Sequence, residues 1–198
     1  MTHLPREPVT PYLFLAPSLV ALGVVFFYPM LVALWMSLHS GGIGLQVGRF
    51  AWFGEYRRVL NSSYFWNSLM VSALFSLGNL VGTWMLGLGT AMMLQRSFVG
   101  RGIARALVII PWAIPYVAAA LIWGWMFDYN FGVLNYIFRK LHLISANTGW
   151  LTGCPAALWS LTGVSVWKLF PLGTVMFLAG LQTIPPELYE AARVDGAG

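Results

Sequence analysis

Glu187-Leu-Tyr-Glu190-Ala191-Ala192-Arg-Val-Asp195-Gly196-Ala197-Gly198 closes the sequence, directly after an apolar run and the pair Pro185-Pro186. Prolines suit the first turn of a helix, where an amide hydrogen has no intrahelical acceptor. Glu187 and Glu190 stand near the positive end of the helix dipole. Leu188, Ala191, Ala192 and Asp195 fall at helical spacing on one side, with small residues in its middle that admit a close partner. The stretch predicts a short polar helix, just beyond an apolar span, that touches another protein.

Upstream of it the composition is that of a membrane protein. Apolar residues make up 59% of the chain and charged ones 9%, against about 25% charged in an ordinary soluble domain. Stretches free of Lys, Arg, Asp and Glu run over residues 12–38, 65–94, 106–127 and 156–181, the last interrupted by Lys168. Each exceeds the roughly 20 residues that carry a helix across about 30 Å of hydrocarbon, and none alternates as a barrel strand would. Four transmembrane helices are therefore expected. The first is too long for the core of a secretory signal, and no small-residue cleavage site follows it.

The net charge of +5 would suggest an anionic partner in a soluble protein; in this composition it reports topology, and no nucleic-acid partner is expected. With the N-terminus inside, Arg6, Arg96, Arg101, Arg105 and Arg193 are cytoplasmic, while Arg49, Arg57, Arg58, Arg139 and Lys140 are external. The count is even. The crowding of Arg96, Arg101 and Arg105 in one loop without an acid favours this orientation.

Within the spans, prolines and polar residues mark special places. Pro17 and Pro29 predict bends in the first helix; Pro111 and Pro115, on one side of the third, predict another and free carbonyls that a neighbour must satisfy. Gly78-x-x-x-Gly82, Gly87 and Gly89 predict a close-packing face on the second helix. Asn79 beside it is either an interhelical hydrogen bond or a pore-lining contact. Lys168 lies about 15 to 20 Å from either end of its span. A charge at such depth costs about 2.5 to 3.5 kcal/mol and usually faces a bundle interior or an aqueous path. Two readings stay open for it: a structural lysine capped by carbonyls freed near Pro171, and a role in translocation. Outside the spans, a Gly41-Gly42-Ile-Gly44 turn precedes an interfacial segment over residues 50–60. Trp123, Trp125, Tyr129, Tyr136 and Trp150 read as an outer aromatic belt.

Catalytic chemistry is not indicated. There is no Gly-x-x-x-x-Gly-Lys-Ser/Thr phosphate loop, so no ATP is expected on this chain. His3, His39 and His142 lack the spacing of a metal site, and the single cysteine, Cys154, forms no intramolecular disulfide.

Glu190-Ala-Ala-x-x-x-Gly196 resembles the cytoplasmic signature loop of permease subunits in binding-protein-dependent ABC importers. Leu181-Gln-Thr-Ile-Pro-Pro-Glu-Leu-Tyr-Glu190 is similar to the sugar-uptake branch of that family. Pro111-x-x-x-Pro115, Gly132-x-x-Asn135 and Trp167-Lys168 with Pro171 fit the same pattern. The resemblance implies an all-α membrane protein carrying four of six permease helices, one incomplete transmembrane domain over residues 1–198, and a coupling loop over about 183–198. It implies a bacterial or archaeal cytoplasmic membrane, a second permease subunit, ATPase subunits that bind the ATP, an extracytoplasmic solute-binding protein and a carbohydrate substrate. Glu187, Glu190, Ala191, Ala192, Asp195 and Gly196 would couple to the ATPase, with Lys168 and Asn79 as possible path residues. Family members continue past this loop, so the chain is expected to be a fragment. The alternative is a truncated remnant without transport, or a polytopic membrane scaffold; an intramembrane enzyme would need a charged cluster within the spans.

Overall fold

A computed structural model describes residues 10–41 and 48–196. Arg6, Pro8, His3 and the turn from Gly42 to Gly44 lie outside the described residues. The chain forms two compact units, Met1–Ser68 and Leu69–Gly198.

In the first unit, α1 (Thr10–Leu22) passes through one wide turn, Gly23–Phe27, into α2 (Tyr28–Ser37). The wide turn has a local cause. Pro29 has no amide hydrogen to continue the ladder, and the Tyr28 amide bonds back to the Gly23 carbonyl, five residues away. One inserted residue thereby absorbs the proline. None of the most apolar stretch of Tyr12–Ser37 is buried, as suits a helix whose solvent is lipid. Two short strands follow, β1 (His39–Ser40) and β2 (Arg49–Phe50), paired antiparallel with His39 opposite Phe50. Rings of Trp35, His39, Phe50 and Trp52 follow one another at centroid spacings of 4.9, 5.1 and 4.9 Å. The expected interfacial segment is α3 (Gly54–Leu60). Its Tyr56 hydroxyl meets Ser37 Oγ at 2.7 Å, and its last carbonyl, Leu60, accepts from Trp66 Nε1 at 2.7 Å.

Helix α4 (Ser63–Gln95) has 33 residues, about 50 Å of helix, more than a bilayer core requires. In the second unit it packs on α8 (Ala156–Gln182) through small residues. A Cβ at Gly78 would meet the Thr162 methyl at 2.9 Å, one at Gly82 the Val166 side chain at 2.7 Å, and one at Gly87 the Gly173 backbone at 3.1 Å. Backbones at such distances gain dispersion contacts that replace the missing hydrophobic drive between helices in lipid. Gly89 is different: nothing lies within 4 Å of a Cβ built there, so it is no part of the packing face. The Thr90 and Thr174 hydroxyls hydrogen-bond across the same seam.

These contacts rise together along both helices, so α4 and α8 run parallel and their C-terminal ends meet at one end. The chain between them must cross back. That return is α5 (Arg101–Ala113) and α6 (Tyr116–Met126), bent by 92° relative to each other. The expected third helix over 106–127 is thus a broken crossing and not one bent helix. A residue before proline is pushed out of the helical region. Ile114 and Pro115 accordingly adopt extended ψ angles of 131° and 143°. Three helices are long and apolar enough to cross a membrane, and the broken pair taken as one span makes four. Beyond α6 comes α7 (Val133–Lys140), and after α8 the short α9 (Pro186–Val194).

Candidate functional site

Helix α9 forms where the sequence places it, with proline in its first turn, Glu187 near its start and Arg193 near its end. Gly196 stops it with a φ of +83°, the left-handed conformation in which a glycine carries no Cβ penalty. Glu187, Leu188, Glu190, Ala191 and Asp195 are exposed, while Ala192 is half-buried. The side predicted as one face is therefore divided: Leu188, Ala191 and Asp195 point outward and Ala192 turns toward the bundle. Leu188 and Val194 are 61% and 87% exposed, apolar groups on a polar helix with nothing over them among the described residues.

What α9 rests on is the end of α4. Gln95 Nε2 donates to the Tyr189 hydroxyl at 3.4 Å. Arg101 Nε donates at 2.7 Å to the Leu94 carbonyl, capping α4 after its last turn. Arg96 and Arg193 line one cleft of about 570 Å³ together with Glu190. The densest basic loop and the Glu-Ala-Ala helix thus share one end of the second unit.

At the break between α5 and α6 stands Lys168, 4% exposed. Its ammonium donates to the carbonyls of Pro111 at 2.8 Å, Trp112 at 2.9 Å and Ile114. A helix end leaves its last four carbonyls without intrahelical donors. Here Pro111 loses its donor because residue 115 is a proline. Three ammonium hydrogens meet three such carbonyls, and the Tyr116 ring lies 4.9 Å from Nζ, adding a cation–π contact. The freed carbonyls therefore come from the third crossing, not from the neighbourhood of Pro171. A cavity of about 400 Å³ adjoins, walled mainly by apolar and aromatic side chains including Phe75, Tyr116, Trp123 and Phe127, with Lys168 on its edge.

Asn79 makes no interhelical hydrogen bond among the described residues. Its Nδ2 donates within its own helix to the Phe75 carbonyl at 3.0 Å, and its Oδ1 is buried without a partner, as is Thr83 Oγ1 one turn later. The structure does not bring Asn79 to Lys168.

Asn135 of the Gly132-x-x-Asn135 turn has a role that the motif alone did not specify. Asn135, 2% exposed, donates to the carbonyls of Asp128, Tyr129 and Thr148 at 3.2 to 3.3 Å. It accepts from the Thr148 amide at 3.0 Å and Trp150 Nε1 at 2.9 Å. It ties the turn after α6 to the segment before α8. Gly132 serves the same turn, because a Cβ there would run into the carbonyls of Met126 and Asp128. This also divides the expected aromatic belt. Trp125, Tyr129 and Tyr136 are exposed, whereas Trp150 is bonded to Asn135 and Trp123 packs edge-on against Trp167 at 5.3 Å.

Long apolar helices, a broken helix pair and a short exposed helix beyond the last of them define a multi-pass helical membrane protein. Residues 83–198 match the family described as "binding-protein-dependent transport system inner membrane component", and the chain belongs to that family. It is 37% identical over 192 residues to the trehalose/maltose transport system permease protein of Thermococcus litoralis, covering 97% of this chain and 64% of that protein. It is 34% identical over 188 residues to the sulfoquinovosyl glycerol transport system permease protein of Agrobacterium fabrum, covering 94% and 60%. The fold matches a subunit of a bacterial ABC transporter involved in import of the acidic polysaccharide alginate, with a TM-score of 0.77 at 22% identity over 96% of this chain and 63% of that one. The chain spans slightly under two thirds of the length of these proteins.

Proposed function

We propose that the chain is a membrane-spanning permease subunit of an ATP-driven importer of sugars or related carbohydrates in a bacterial or archaeal cytoplasmic membrane. The observation that carries this is α9: an acid-and-alanine helix held at the end of α4, with Leu188, Ala191 and Asp195 outward. Its small residues let a groove of another protein close over it, and its glycine stop fixes its length. In this reading an ATPase subunit takes α9 into such a groove and ATP-driven closure tilts α4 and α8, which it adjoins. A second permease subunit completes the path, and an external binding protein delivers the solute. ATP is bound and hydrolysed by the partner. The sugar relatives support the substrate class, and family membership supports the partners.

Co-purification tests it. In the assembled transporter, Glu190→Lys combined with Gly196→Asp adds a misplaced charge and a side chain at positive φ. The ATPase is expected to fall away from the variant or to hydrolyse ATP without uptake. Undiminished, coupled transport by that variant would refute the assignment of α9.

A further inference from the structure

Two cavities meet at Arg96. One is the cleft between the end of α4 and α9, lined by Gln95, Arg96, Gln182, Tyr189, Glu190 and Arg193 among others. The other, about 660 Å³, is a groove along the last turns of α4 formed by Gly89, Met92, Met93, Arg96, Ser97 and Phe98. The first is polar and cationic. Neither Arg96 nor Arg193 forms an ion pair among the described residues, where the one salt bridge is Arg58 with Glu55. Among the described residues Glu190 is the only acid on the rim. The second is apolar except for Arg96 and Ser97, and Gly89, exposed on its wall, has open space where a side chain would stand.

A cationic recess joined to an apolar groove at the mouth of a membrane helix has the polarity of one kind of ligand. We propose that this pair of cavities binds an anionic phospholipid. Its phosphodiester lies between Arg96 and Arg193, with the Tyr189 hydroxyl and the Gln95 and Gln182 amides within the same recess. One acyl chain lies against Gly89, Met92, Met93 and Phe98. Arginine supplies the planar donors that phosphate oxygens accept, and basic pockets at the surface of a helical bundle take anionic head groups in this manner. Flexible methionines conform to a chain without a fixed shape. Because Arg193 and Tyr189 belong to α9, the bound lipid would pin α9 to α4, making the position of that helix depend on membrane composition. The site does not depend on what the chain transports.

The test is lipid retention by the full chain, extracted from nanodiscs holding equal phosphatidylglycerol and phosphatidylcholine and weighed intact by native mass spectrometry. Preferential retention of phosphatidylglycerol is expected. At roughly fivefold per arginine near a membrane surface, Arg96→Gln should lower the preference about fivefold and Arg96→Gln with Arg193→Gln more than tenfold. Arg139→Gln, on α7, should leave it unchanged. Gly89→Trp fills the groove without touching the arginines and should reduce retention, which distinguishes a lipid from a free phosphate. Equal retention of the two lipids by the unmodified chain, or unchanged preference in the double variant, would overturn the proposal. Displacement of the lipid by inorganic phosphate with no effect of Gly89→Trp would overturn it too, leaving a site for phosphate alone.

Discussion

Replacing Lys168 by methionine removes the ammonium while keeping most of the side chain's volume. The Pro111, Trp112 and Ile114 carbonyls then lose their buried protein donor. In a water-soluble protein each buried orphan would cost about 1 to 3 kcal/mol. In a bilayer the unfolded reference state also finds partners, and hydrogen bonds average about 0.6 and reach about 1.7 kcal/mol. Three bonds at those limits give a loss of about 2 to 5 kcal/mol. Insertion moves the other way, since a lysine deep in a span costs about 2.5 to 3.5 kcal/mol to place there. The two effects separate in experiment. Lys168→Met is expected to enter the membrane at least as well as the unmodified chain, yet to unfold in detergent at a midpoint lower by at least about 4 °C, taking 2 to 4 °C per kcal/mol for a chain of this size. Amide exchange should rise around residues 112 to 119. Lys168→Arg should rescue only part of this, because a planar fork matches three converging carbonyls poorly. An unchanged midpoint together with unchanged exchange would refute the claim that Lys168 holds the break together.

Gly87→Val places branched carbons against the Gly173 backbone, already 3.1 Å from a Cβ, and should part α4 from α8; the same change at Gly89, which faces open space, should leave the thermal midpoint within about a degree. Asn135→Leu removes both the donor and the acceptor of the outer clamp, so limited proteolysis should cut between residues 128 and 150 well before the unmodified chain is attacked there, and equal cleavage rates would contradict the role assigned. Thr90→Val should weaken the α4–α8 seam by no more than about 1.7 kcal/mol, read as a double-mutant cycle with Thr174→Val, and a coupling of zero would mean the two hydroxyls do not bond.

The crossings were readable because lipid demands long, nearly uncharged runs, and residues 65–94 and 156–181 differ from α4 and α8 by at most two residues at either end. Pro111 and Pro115 announced freed carbonyls, since a proline lacks its amide wherever it stands. What they could not announce was a 92° break. The carbonyls so freed are met by a lysine more than fifty residues away, whose reach toward the third crossing has no mark in local sequence. Gly132-x-x-Asn135 was visible as a turn motif, but not what Asn135 ties together, because most of its partners are backbone groups, which every residue owns. For α9, the helix and its glycine stop were legible, whereas the inward turn of Ala192 depends on where Tyr189 meets Gln95.

The role proposed for α9 is contact with an ATPase inside the cell. The most direct test places one cysteine there, Leu188→Cys with Cys154→Ser to remove the exposed native thiol. It asks which side of the membrane an impermeant maleimide must come from to label it. Labelling only from the cytoplasmic side, with a thiol crosslink to the ATPase subunit in the assembled transporter, is the expected result. Labelling from outside intact cells would contradict it.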